Sequence, residues 1–125
     1  MWREALYVGV GGFLGANARY LVNRGILNKF GAGFPYATLF INFSGSVLLG
    51  FFLIWTTERV LSDYKLRLFF AIGFCGAYTT FSSYSFETFA LYEQGRYWLA
   101  ASNVLSNNVL ALAGAILGAV IARSL

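Results

Sequence analysis

Between Thr79 and Ser85 the chain reads Thr-Thr-Phe-Ser-Ser-Tyr-Ser, a run of hydroxyl side chains interleaved with two aromatic rings. These residues lack the nucleophilicity for covalent catalysis without a base, but they suit the handling of a small ion. Phe81 and Tyr84 are three apart and share a helix face. A ring edge carries partial positive charge, so it attracts an anion weakly. Hydroxyls such as those of Thr80, Ser82 and Ser83 add hydrogen-bond donors. Contact of that strength meets the need of conduction, where an ion must enter readily and leave readily. An aromatic pair at this spacing is ordinarily core packing. Its alternation with Ser82, Ser83 and Ser85 favours the ion reading.

Other polar positions stand in equally apolar surroundings. Asn42 lies in Thr-Leu-Phe-Ile-Asn-Phe-Ser-Gly. Its amide either glues helices together or turns its donors to a passing anion. Arg19 either snorkels to an interface or draws anions to a pore mouth. Glu87 pairs with a basic group or lies in a wet vestibule. Further on, Asn103, Ser106, Asn107 and Asn108 form a polar patch. Ser102 and Ser106 share one helix face and Asn103 and Asn107 another, and at least one of these faces looks into the protein.

The elements that must carry these residues follow from composition. The 125 residues are 58% hydrophobic and 11% charged, with a single proline at Pro35. A soluble domain this small could not bury so much apolar surface, so the chain reads as one membrane domain over residues 1–125. Hydropathy divides it into four spans at about residues 5–22, 34–56, 66–92 and 97–122. Each is close to the ~20 residues that cross ~30 Å of hydrocarbon, or longer. The connections, 23–33, 57–65 and 93–96, are short. Trp2, Trp55, Tyr97 and Trp98 fall near predicted span ends, where amphipathic rings favour the interface. No cleavable signal is evident at the N-terminus. With no water in the hydrocarbon, the hydroxyl run must face protein, a pore or an ion, and irregular backbone near Gly76 is tolerable only along a cavity.

Several function classes are excluded on composition. With no histidine, the commonest general base and transition-metal ligand are missing. Cys75 is alone, so neither an intrachain disulfide nor a cysteine cluster exists. No nucleophile–base pair is visible, and an enzyme is not expected. The net charge of +4 comes from scattered residues, which does not point to nucleic acid.

Four spans put Arg3, Arg59, Lys65, Arg67 and Arg123 on one side and Arg19, Arg24, Lys29 and Arg96 on the other. Five basic residues against four is almost no orientation signal. Either the signal is noisy, or the chain inserts both ways and two copies pair antiparallel. Gly11 and Gly15, and then Gly114, Gly118 and Ala122, form small-residue faces that let helices approach closely.

Three segments together resemble the Fluc (CrcB) family of fluoride channels. They are Gly11-Gly12-Phe13-Leu14-Gly15-Ala16-Asn17-Ala18-Arg19-Tyr20 in the first span, Asn42 with Gly45 and Gly50 in the second, and Gly73-Phe74-Cys75-Gly76 followed by Thr79-Thr80-Phe81-Ser82-Ser83 in the third. The resemblance implies an all-α membrane fold with the third helix broken near residues 76–80. It implies an antiparallel, dual-topology homodimer in the bacterial inner membrane, with two fluoride pores. Asn42 then matches a pore asparagine, and Phe81 and Tyr84 match the two pore rings. Arg19 matches the arginine of the first motif. Gly76 and Thr79 match a break whose backbone carbonyls, from both subunits, hold a structural sodium ion. Tyr84 departs from the family pattern, which has phenylalanine there. Ser106 is a pore-facing candidate in the weakly matching fourth span.

The leading expectation is therefore passive export of fluoride. A dual-topology, proton-coupled drug exporter would need a carboxylate deep in the membrane; Glu4 and Glu58 lie at span ends, leaving Glu87 alone. A non-transporting membrane scaffold would use the hydroxyl run for packing only.

Overall fold

The computed structural model describes residues 1–59 and 63–125. The middle of the expected 57–65 connection, residues 60–62, lies outside the described residues. The rest is helical, with no strand among the described residues. Helix α1 is Trp2–Phe30 and α2 is Tyr36–Glu58. Helix α3 covers residues 64–78: it starts as Tyr64–Leu66, becomes π-helical over Arg67–Cys75 and ends as Gly76–Tyr78. Helix α4 is Phe81–Glu93 and α5 is Tyr97–Ser124.

Hydropathy placed the end of the first span at residue 22, and the helix runs eight residues further. Asn23, Arg24, Asn28 and Lys29 look like a loop by polarity. Yet Val22, Ile26 and Phe30 continue an apolar stripe at four-residue spacing, and with Tyr36 and Phe40 they line one groove. The helix stops where Gly31 takes φ 75°, a conformation that glycine adopts without the Cβ penalty. Pro35 then starts α2.

α1 lies along α3, and α2 along α5. The small-residue faces make these contacts. A Cβ on Gly15 would sit 2.2 Å from the Phe74 carbonyl oxygen, and one on Gly118 would sit 2.2 Å from that of Val47. These glycines therefore join helices within one chain, and their faces are not free to join two copies. α2 and α5 are each long and apolar enough to cross a membrane. Their outer surfaces stay uncovered: 22% of the apolar window of α2 and 17% of that of α5 is buried. Leu105, Leu112 and Trp98 are exposed on α5, as lipid-facing side chains would be.

Between α3 and α4 the chain is extended for two residues. Thr79 has φ −79° and ψ 156°, and Thr80 φ −149° and ψ 118°. Gly76, with φ −62° and ψ −37°, remains helical.

Candidate ion pathway

Side chains from α1, α2 and the junction itself take up the backbone groups left free at Thr79–Thr80. In a continuous helix the Thr80 N–H would return to the Gly76 carbonyl. Instead it donates to Asn42 Oδ1 at 2.9 Å, and Asn42 Nδ2 donates back to the Thr80 carbonyl at 3.1 Å. The Ala77 carbonyl accepts from Arg19 Nε of α1 at 3.0 Å. The Ser83 N–H, which would have returned to Thr79, is capped by Thr80 Oγ1 at 3.1 Å. Thr79 Oγ1 donates to the Cys75 carbonyl at 2.9 Å. The sequence folds this way because Thr80 is a good N-cap for α4 and α2 comes close at Gly45. A Cβ on Gly45 would lie 2.2 Å from Thr79 Cγ2.

Beside the junction is a cleft of about 280 Å³. Asn42, Gly45, Thr79, Thr80, Phe81, Tyr84, Asn107 and Asn108 line it, with apolar Leu49 and Ala111. Phe81 and Tyr84 meet edge to face, with ring centroids 5.3 Å apart and planes at 65°. Tyr84 is buried, while Phe81 is 77% exposed and turns outward from the chain. The Tyr84 hydroxyl accepts from Asn108 Nδ2 at 3.2 Å.

A file of hydrogen bonds leads away from the junction along α5. Asn42 Nδ2 donates to Asn107 Oδ1 at 3.1 Å, and Asn107 Nδ2 to Asn103 Oδ1 at 2.8 Å. Asn103 Nδ2 then donates to Thr88 Oγ1 at 2.8 Å, and Thr88 Oγ1 to the Tyr84 carbonyl at 2.8 Å. Asn103 is fully buried and Asn107 nearly so. Such groups are tolerated at low dielectric because each finds partners.

A second cavity, of about 250 Å³, shares Thr80 with this cleft as a lining residue. Arg19, Asn23, Thr38, Thr80, Ser83 and Glu87 supply its polar lining. Thr38 Oγ1 donates to Glu87 Oε1 at 2.7 Å. Glu87 Oε2 is buried with no protein partner among the described residues.

The structure thus brings Asn42, Thr79, Thr80, Phe81 and Tyr84 to one cleft, and Arg19 and Ser83 to the neighbouring cavity. Ser82 is exposed beside the Thr80 hydroxyl, with the two oxygens 3.2 Å apart. Gly76 precedes the junction and lines neither space, and Ser106 also lies outside both. Of the two α5 faces left open by the sequence, the buried one carries Asn103 and Asn107, while Ser102 is exposed. Asn107 and Asn108 reach the cleft without having been singled out as site residues; their four-residue register with Asn103 and Val104 was the available signal. Thr38 had none, since a lone threonine early in a span is unremarkable by type.

The sequence matches the family described as "CrcB-like protein, Camphor Resistance (CrcB)" over residues 6–119. It is 56% identical over 117 residues to the "Fluoride-specific ion channel FluC" of Koribacter versatilis (strain Ellin345), covering 94% of this chain and 92% of that protein. A protein of the same name from Methylococcus capsulatus is 47% identical over 118 residues, or 94% of this chain, which spans 52% of that longer protein. A third, from Legionella pneumophila (strain Paris), is 44% identical over 118 residues, covering 94% of this chain and 88% of its own. The match runs through the junction, the cleft and the helices that hold them, and the chain belongs to the CrcB family.

Proposed function

We propose that this chain is a fluoride-specific ion channel, which passes fluoride by electrodiffusion and performs no chemical conversion. The observation that carries this is the 56% identity, over nearly the whole of both chains, to a relative named for that activity. The geometry agrees with it. A small, strongly hydrated anion entering an apolar layer must exchange water for protein donors that hold it weakly. The cleft offers hydroxyls, ring edges and an extended segment of backbone in one place. Both N–H groups of Asn42 have protein acceptors, Thr80 and Asn107. In this arrangement Asn42 holds the backbone that lines the path, and hydroxyls and ring edges are left to meet the ion. Arg19 places a cation in the adjoining cavity, which raises the local concentration of anions. Export needs no energy source: fluoride crosses from acid surroundings as neutral HF, ionises inside, and leaves by the channel.

The finer reading is an antiparallel homodimer, inserted in both orientations in the bacterial inner membrane. Phe81, largely exposed while the adjacent Tyr84 is buried, supports a partner surface beside the cleft. The balance of five basic residues against four supports dual insertion. The glycine faces lend no support, because they pack within the chain.

A structural sodium ion fits the junction. Gly76 and Thr79 each lose the N–H that a continuous helix would give their carbonyls, to Asn42 and to Thr80 Oγ1 respectively. Neutral carbonyl oxygens suit a hard monovalent cation. The Gly76 and Thr79 carbonyls would hold it, and it would supply positive charge at the junction.

The deciding experiment is fluoride efflux from potassium fluoride-loaded liposomes holding the purified protein, triggered with valinomycin and read with a fluoride electrode. Rapid fluoride efflux with little chloride leak is expected. Efflux no faster than from protein-free liposomes, at verified incorporation, overturns the channel reading.

A further inference from the structure

The Tyr84 ring is buried, and Tyr84 lines the cleft together with Asn42, Thr80, Phe81 and Asn108. Asn108 Nδ2 donates to its hydroxyl oxygen at 3.2 Å. The same Asn108 amide is tied down by a 2.8 Å bond to the Val104 carbonyl of its own helix. The phenol oxygen is therefore held from one side by a donor. A phenol has one hydrogen to give, and among the described residues it gives it to no protein acceptor. Asn108 occupies the acceptor side of the oxygen, so the O–H must point elsewhere, and the space beside it is the cleft.

Resting on the channel reading above, we infer that the Tyr84 hydroxyl, oriented by Asn108, is a hydrogen-bond donor to the anion in this cleft and sets how tightly the chain holds it. The Phe81 ring, 5.3 Å away, offers only an edge, a weak electrostatic contact. An O–H donor is stronger and more directional, and small hard anions gain most from it. It deepens the resting place of the ion more than the barriers on either side. A deeper resting place raises affinity and slows departure. The Tyr84–Asn108 pair is thus a specificity and rate determinant, with Asn108 in the positioning role.

The test is the fluoride dependence of flux in liposomes for the unaltered chain, Tyr84→Phe and Asn108→Ala. Tyr84→Phe removes one oxygen at the edge of a cleft and conserves the ring, so the packing against Phe81 persists. A hydrogen bond to a charged group corresponds to about 10- to 150-fold in affinity. The expected result is a half-saturating fluoride concentration raised about 10- to 150-fold in Tyr84→Phe, with a higher maximal rate. Asn108→Ala should shift both in the same direction by less, because the hydroxyl remains and loses only its orientation. Fluoride flux in all three proteins with identical half-saturation and maximal rate overturns the inference while the channel reading stands. Lack of flux in every protein, the unaltered chain included, overturns both. A lower maximal rate with unchanged half-saturation in Tyr84→Phe also overturns it, since the hydroxyl would then act on a barrier and not on the bound ion.

Discussion

Asn42 and Thr80 hold each other by two hydrogen bonds at once. The amide oxygen takes the Thr80 N–H at 2.9 Å and the amide nitrogen gives to the Thr80 carbonyl at 3.1 Å. A side chain here does what a neighbouring β-strand does for extended backbone. Asn42→Asp keeps the shape and removes the donor to both Thr80 and Asn107, setting a carboxylate oxygen against two acceptors. Leaving buried acceptors unpaired costs about 1–3 kcal/mol each. Fluoride efflux should fall by more than about tenfold, with the protein still eluting at its usual size on gel filtration. Unchanged efflux would show that the junction holds without this pair.

Asn107 is the middle of the amide file and is almost wholly buried. Asn107→Leu takes from Asn42 Nδ2 one of its two acceptors and leaves Asn103 Oδ1 without its donor. Thermal unfolding in detergent should show a loss of about 2–4 kcal/mol. Ser102→Ala, on the exposed face of the same helix, should stay within about 0.5 kcal/mol of the unaltered chain. Equal behaviour of the two variants would mean the burial of Asn107 is not what matters.

Gly45 is the point where α2 comes against the junction. In Gly45→Ala the new Cβ would meet Thr79 Cγ2 at 2.2 Å and the Tyr78 ring at 3.1 Å. Either α2 retreats or Thr79 moves, and both loosen the Asn42–Thr80 pair. A fall in efflux of at least about tenfold is expected, with a lowered melting temperature. Gly25→Ala serves as the contrast: nothing lies within 4 Å of its Cβ position. It sits inside α1, where alanine is better than glycine by about 0.8–1.0 kcal/mol, so its stability should hold or rise. Normal efflux from Gly45→Ala would remove the close approach as a constraint.

Dual insertion makes its own forecast. With Cys75→Ser and one cysteine added at a terminus, an impermeant thiol reagent applied to whole cells should label a substantial fraction and leave the rest protected until lysis. Complete protection before lysis, with full labelling after it, would place every copy in one orientation.

Much of this arrangement was legible in the sequence because it rests on residue types that membranes rarely admit. Asn42, Thr79, Thr80, Phe81 and Tyr84 were identified by being polar or ring-bearing amid apolar neighbours, and all five reach one cleft. The extent of α1 was not legible, since polar residues 23–29 masked the stripe of Val22, Ile26 and Phe30. The π-helical stretch of α3 was not legible either. It is a matter of one extra residue per turn, and Arg67–Cys75 has no composition that marks it. On α5, four-residue spacing offered two polar faces and gave no means to choose between them. The choice was made by the junction across the way, which presents Asn42 to Asn107. Ser106 lies on the other face and contributes nothing to the cleft. The role of Asn42 could not be read from its type, because an amide that glues and an amide that faces an ion are the same residue.

The hydrogen bonds from Thr80 to Tyr84 all run one way. The Thr80 backbone N–H can only give and the Tyr84 backbone carbonyl can only receive, and between them lie Asn42, Asn107, Asn103 and Thr88. Fixed terminals of opposite character allow the file a single polarity. If one amide turned over, N–H would confront N–H on one side and oxygen would confront oxygen on the other, so no member can flip alone. The three asparagines therefore behave as one switch with a single position, and their aligned dipoles reinforce one another. Thr88, which lines neither cavity, thereby helps determine which atom of Asn42 faces the Thr80 N–H and so how the extended backbone beside the cleft is held.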